Sequence, residues 1–87
     1  MKVERLERLE RVPLAIDYRR LYRADALISV AGRVTSPAPI EFSLELSPFG
    51  RHEVSVTFLD RLDYPMIPAM NILKHYITTL DRDGGLP

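Results

Sequence analysis

His52 and His75 are the only imidazoles in the chain and therefore its best-suited general bases at neutral pH. His75 lies in a segment with helical spacing, where an adjoining cleft would make it a functional histidine. A nucleophile needs a base that a third group orients, and no companion motif accompanies either histidine. We therefore expect His75 to be a boundary residue with one ring nitrogen in water, and we expect no catalytic residue and no enzyme activity.

Paired carboxylates could hold a hard cation or perform acid–base work, and the chain offers Asp60, Asp63, Asp81 and Asp83. These aspartates flank a predicted helix, where turn and cap chemistry accounts for them. The chain has no Cys and no His-x-x-x-His pair, and its four glycines build neither a P-loop nor a dinucleotide fingerprint. The sequence therefore predicts no metal ion and no cofactor.

Residues 18–23 form the densest group of cationic and aromatic side chains in the sequence, namely Tyr18, Arg19, Arg20, Tyr22 and Arg23. Such a group can bind phosphate backbones or stack on bases, and it can equally bind an acidic protein surface. A solvated arm is the simplest interpretation. We take these five residues as the candidate interaction surface.

Charge is balanced over the whole chain but not along it. The 87 residues include 12 Lys plus Arg and 12 Asp plus Glu, for a formal net charge of zero. Residues 1–23 hold seven basic and four acidic side chains, whereas residues 24–87 hold five and eight. A uniformly basic nucleic-acid coat and an acidic solvating tail are therefore excluded.

Alternating apolar residues predict three antiparallel strands within residues 22–60. Even positions are mainly apolar in the runs 22–34, 40–46 and 54–58, and short turns containing Pro or Gly separate these runs. Odd positions are mostly polar, so the opposite face of the sheet should be wet. We interpret the region as a β-meander.

A helix over residues 64–81 is predicted by apolar residues at spacings of four and three, namely Met66, Met70, Leu73, Ile77 and Leu80. Gly84 and Gly85 supply a stop, and Asp63 could cap the first turn. With the strands, this helix gives a predicted core of Ile28, Val30, Phe42, Leu44, Val54, Val56, Phe58, Met70, Leu73 and Ile77.

Residues 1–21 form a basic arm that is predicted to be helical or extended. Apolar residues recur at every third position of residues 3–12, and the Glu and Arg residues between them are suitably spaced for ion pairs on a helix. We therefore interpret residues 3–12 as a helix. Residues 14–22 fit a helix and a strand equally well.

Together these elements predict one two-layer α+β domain over residues 1–87: a three-stranded antiparallel meander, a C-terminal helix on one face and the N-terminal arm. One helix is narrower than three strands, so the arm or another chain must cover the rest of the apolar face.

We therefore expect a non-enzymatic protein–protein interaction or assembly module, either a homo-oligomer or one with a protein partner. The alternative is a nucleic-acid or nucleotide-binding module that uses residues 18–23. The absence of Cys and the charged first residues favour the cytoplasm, and no apolar stretch is long enough to predict a membrane segment.

Overall fold

The computed structural model describes residues 1–87 and contains one antiparallel sheet and one helix. The elements are β1 (Lys2–Val12), β2 (Arg19–Val30), β3 (Arg33–Val34), β4 (Ala38–Leu46), β5 (His52–Phe58) and α1 (Met66–Arg82). The strand order is β1-β2-β4-β5, and the short β3 pairs with β2 on the side of β4. The predicted α+β class with a C-terminal helix is confirmed, whereas the sheet has five strands and not three.

The even-numbered residues of β2, β4 and β5 face α1 and form the core, as the alternation predicts. Six of the ten predicted core residues are buried, namely Ile28, Phe42, Leu44, Val56, Leu73 and Ile77. The other four, Val30, Val54, Phe58 and Met70, are partly buried against them. At the centre, Tyr22 stacks on Phe42 with 5.1 Å between ring centroids. On the opposite face, Leu27 and Ser43 are the buried residues.

The N-terminal segment is a strand, so the predicted helix over residues 3–12 is wrong. β1 pairs antiparallel with β2 along most of its length, and residues 13–18 form the loop between them. Ten residues make a marginal helix on their own, and ion pairs on a helix surface contribute only about 0.2–0.5 kcal/mol each. Pairing with β2 satisfies the same backbone groups and also brings apolar side chains onto the core.

Two β-bulges explain how a three-residue repeat fits a strand. The pairing with β2 shifts by one residue between Val3 and Arg5 and again between Glu7 and Glu10. Each extra residue resets the alternation, since a bulge places two residues opposite one. Val3 is therefore buried in the core, and Leu6 and Leu9 pack against the same core, although they lie three residues apart.

The helix begins at Met66, two residues later than predicted, and ends at Arg82. Pro65 precedes its first turn, where no side chain caps it, and the missing N–H of Pro68 costs nothing because first-turn donors are unpaired. Gly84 adopts a φ of 76° just past the end, and the N–H of Gly85 donates to the carbonyl of Leu80 at 2.8 Å. This geometry is a Schellman stop, which favours glycine at the left-handed position.

We expect Phe42→Ala to lower the free energy of unfolding by about 3–5 kcal/mol, because it removes a fully buried ring and leaves a cavity beside Tyr22. Urea denaturation followed by circular dichroism measures the change. Phe49→Ala is the matched control, since the Phe49 side chain is 90% exposed. Equal losses in the two variants would contradict the assignment of the core.

We expect Arg8→Gly to be as stable as the wild type or more stable by up to about 1 kcal/mol, and Arg8→Val to be less stable by about 1–2 kcal/mol. Arg8 has a φ of 52° in the second bulge, a conformation that suits glycine and is unfavourable for a β-branched side chain. Both variants lose the exposed ion pair with Asp25, so their difference reports the backbone alone. Equal unfolding midpoints would argue against a left-handed residue in this bulge.

Candidate functional site

The five residues of the predicted interaction surface lie on two faces of the sheet because they alternate along β2. Arg19 and Arg23 are on the exposed face, where the Arg23 Nε donates to a Glu41 carboxylate oxygen at 3.1 Å. Arg20 and Tyr22 are on the face that α1 covers, and Tyr22 is fully buried. Tyr18 is exposed in the loop before β2. The structure therefore does not bring these five side chains together as one surface, and their binding to nucleic acid stays a prediction.

Arg20 joins the sheet to the end of the helix. Its Nη2 donates to Asp81 Oδ1 at 3.0 Å, and its Nη1 lies 3.4 Å from the hydroxyl oxygen of Tyr22. Burial lowers the pKa of the Arg20 guanidinium, but the hydrogen bond and charge of Asp81, together with Tyr22, raise it above its ordinary value. The hydroxyl of Tyr22 in turn donates to the carbonyl of Pro87 at 3.0 Å. This network holds the C-terminal segment on the core.

The sequence contains a signal for the Arg20 contact. Arg20 occupies an even position, at which the alternation of β2 predicts an apolar residue facing the helix. A charge on the covered face needs a partner, and the end of the predicted helix supplies Asp81. The cationic side chain that interrupts the apolar pattern is thus a structural contact between sheet and helix.

His75 is exposed on α1, at the rim of an open groove between the helix and the start of β1. The groove has a volume of about 530 Å³, and its apolar wall includes Val3, Ile72 and Tyr76. It lies where β1 widens the sheet beyond the reach of one helix. No group of three His, Cys, Asp or Glu side chains in the chain could hold a metal ion. The groove therefore offers apolar contact and one imidazole, without an orienting acid.

The exposed face of the sheet carries charges of both signs in neighbouring positions. Besides Arg23 with Glu41, Arg5 pairs with Glu7 at 2.7 Å, and Arg8 lies 3.6 Å from Asp25. These pairs are largely exposed, so each contributes little to stability. They also neutralise the cationic groups locally, which leaves this face without a field of one sign.

β5 forms one free edge of the sheet, and the directions of its hydrogen bonds are fixed by β4. The N–H of Leu59 donates to the carbonyl of Pro39 at 2.9 Å, just past the paired residues of the two strands. Residues opposite each other in antiparallel strands alternate between bonded and non-bonded pairs. The odd residues of β5 therefore direct their backbone groups at β4. The even residues, His52, Val54, Val56 and Phe58, direct theirs outward.

The two free edges of the sheet differ in their protection against pairing. β1 has two bulges, and seven of its eleven residues are charged. β5 pairs with β4 in a single unbroken register, and its sequence HEVSVTF has no Lys, no Pro and one acidic residue. Bulges, lysines and prolines are the usual means of blocking an edge. β5 is thus the edge that can accept another strand.

Residues 1–82 match the sequence profile of the BB-0187 family. The chain belongs to this family. No curated protein matches the chain, and no solved structure does. The family match covers β1 to α1, so the bulged N-terminal strand and the free edge β5 are both within it. α1 is too short and too polar to cross a membrane.

We expect Arg20→Ala and Asp81→Asn each to lower the free energy of unfolding by about 1–2 kcal/mol, because the pair is partly buried and charge-assisted. The double variant should lose less than the sum of the two, as a double-mutant cycle by urea denaturation can measure. Arg82→Ala is the control. Its guanidinium is exposed and 3.9 Å from Asp83, so a loss above about 0.5 kcal/mol is not expected.

Additive losses at Arg20 and Asp81 would contradict the contact between the sheet and the helix end.

Proposed function

We propose that this protein is a non-enzymatic protein–protein interaction module that self-associates through the free edge of β5. The observation that carries the proposal is the contrast between the two edges of the sheet: β1 is bulged and densely charged, whereas β5 is straight and nearly uncharged. An unprotected edge strand offers unpaired N–H and C=O groups that another strand can satisfy.

Exposed apolar side chains at both ends of β5 support the same surface. Phe49, in the turn before the strand, is 90% exposed, and Leu59, immediately after it, is 51% exposed. Val54 and Phe58 on the strand itself are only partly buried. A partner strand along β5 would cover apolar groups that now contact water, so side-chain burial would add to the backbone hydrogen bonds.

The module works without a catalytic centre in this proposal. His75 is exposed and lacks an orienting acid, and Arg20 is committed to Asp81. We place the protein in the cytoplasm, because a chain without Cys gains nothing from an oxidising compartment. Partner binding, by itself or by another protein, is the activity that remains for the β5 edge.

Sedimentation equilibrium over micromolar concentrations tests the proposal. We expect the wild type to form dimers and Ser55→Lys to shift the equilibrium towards monomer, because Ser55 is exposed at the middle of β5 and a lysine blocks an edge. Ser36→Lys is the matched control, since it adds the same charge at an exposed loop residue. The control should associate as the wild type does, and both variants should have nearly wild-type unfolding midpoints.

A wild-type protein that stays monomeric at high micromolar concentration would contradict the proposal. Equal association of the Ser55 and Ser36 variants would show that any dimer uses another surface.

A further inference from the structure

We infer that two copies pair β5 with β5 in antiparallel orientation about a two-fold axis at Ser55, which joins their sheets into one. This inference rests on the proposed function and specifies its partner, a second copy of the chain, and its register. A two-fold axis through an edge strand gives a closed dimer, because each copy uses the same strand and leaves no free β5 edge.

The outward-facing backbone groups select this register. An axis at Ser55 places Val54 opposite Val56 of the second copy and His52 opposite Phe58 of the second copy. These are the even residues whose N–H and C=O groups point away from β4. Each such pair can exchange two hydrogen bonds, so every outward-facing residue of β5 is satisfied.

Neighbouring registers leave part of the strand unpaired. An axis at Val54 places Phe58 opposite Gly50, which has a φ of 78° in the turn before β5. An axis at Val56 places His52 opposite Asp60, which lies beyond the end of the strand. The axis at Ser55 is central in a seven-residue strand and uses all of it.

The side chains are compatible with the same register. On the exposed face, Ser55 meets Ser55 of the second copy, and Glu53 meets Thr57, so no like charges are opposed. On the core face, Val54 and Val56 meet, which extends the apolar layer across the axis. The antiparallel arrangement also brings the turn with Phe49 alongside the segment after β5 of the second copy, where Leu59 is exposed.

Cysteine cross-linking tests the register cleanly because the chain has no Cys of its own. Ser55→Cys should form a disulfide-linked dimer under mild oxidation. Directly opposed residues of a non-bonded antiparallel pair have Cα atoms about 4.5 Å apart, which is within disulfide range. Thr57→Cys is the matched control, because its two copies would lie about 13 Å apart along the strands. The double variant Glu53→Cys and Thr57→Cys should cross-link again.

Lysine substitutions give a second readout that needs no oxidation. Ser55→Lys should raise the dissociation constant about tenfold or more, since it opposes two like charges at the axis. Thr57→Lys should leave the dissociation constant unchanged or lower it, because the new ammonium would face Glu53 of the second copy.

The results separate the register from the proposed function. A wild type that dimerises, with Thr57→Cys linking as readily as Ser55→Cys, would overturn the register and leave self-association standing. Weaker association of Thr57→Lys than of Ser55→Lys would also overturn it. A wild type that never dimerises in sedimentation would overturn the proposed function itself, and the register with it.

Discussion

The fold depends on β2, the central strand, which pairs with β1 on one side and with β3 and β4 on the other. Its even residues from Tyr22 to Ile28 are buried beneath α1. Only when both neighbours are in register do the core side chains of β1 and β4 meet those of α1. A one-residue slip of an unbulged strand would turn its apolar set towards water, so burial on this one face specifies the pairing.

The sequence predicts the elements that keep a regular period. β2, β4 and β5 alternate without interruption in their pairing with each other, and α1 repeats at helical spacing, so the alternation identifies their buried residues. The repeat in β1 predicts the wrong element because two bulges stretch it from two residues to three. Val3, Leu6 and Leu9 carry no local signal that separates a bulged strand from an amphipathic helix, and the strand forms because β2 offers a partner.

The same alternation decides how much of the candidate site is predictable. Tyr18, Arg19, Arg20, Tyr22 and Arg23 are adjacent in sequence, but a strand sends alternate side chains to opposite faces. Tyr22 and Arg20 therefore belong to the core and to its contact with the helix end. The edge position of β5 follows from strand order, which depends on tertiary pairing. Interpreting residues 3–12 as a helix hides that order, because it removes one edge strand from the sheet.

The bulges of β1 connect the misassigned segment with the proposed interface. A strand with many charges and an irregular register pairs poorly with a second copy, although it pairs well with β2, whose residues it matches. One edge of the sheet is thereby closed to association. The remaining edge, β5, has a single register with β4 and no such protection. Association then stops at two copies, because pairing β5 with β5 leaves only the two bulged β1 strands at the ends of the joined sheet.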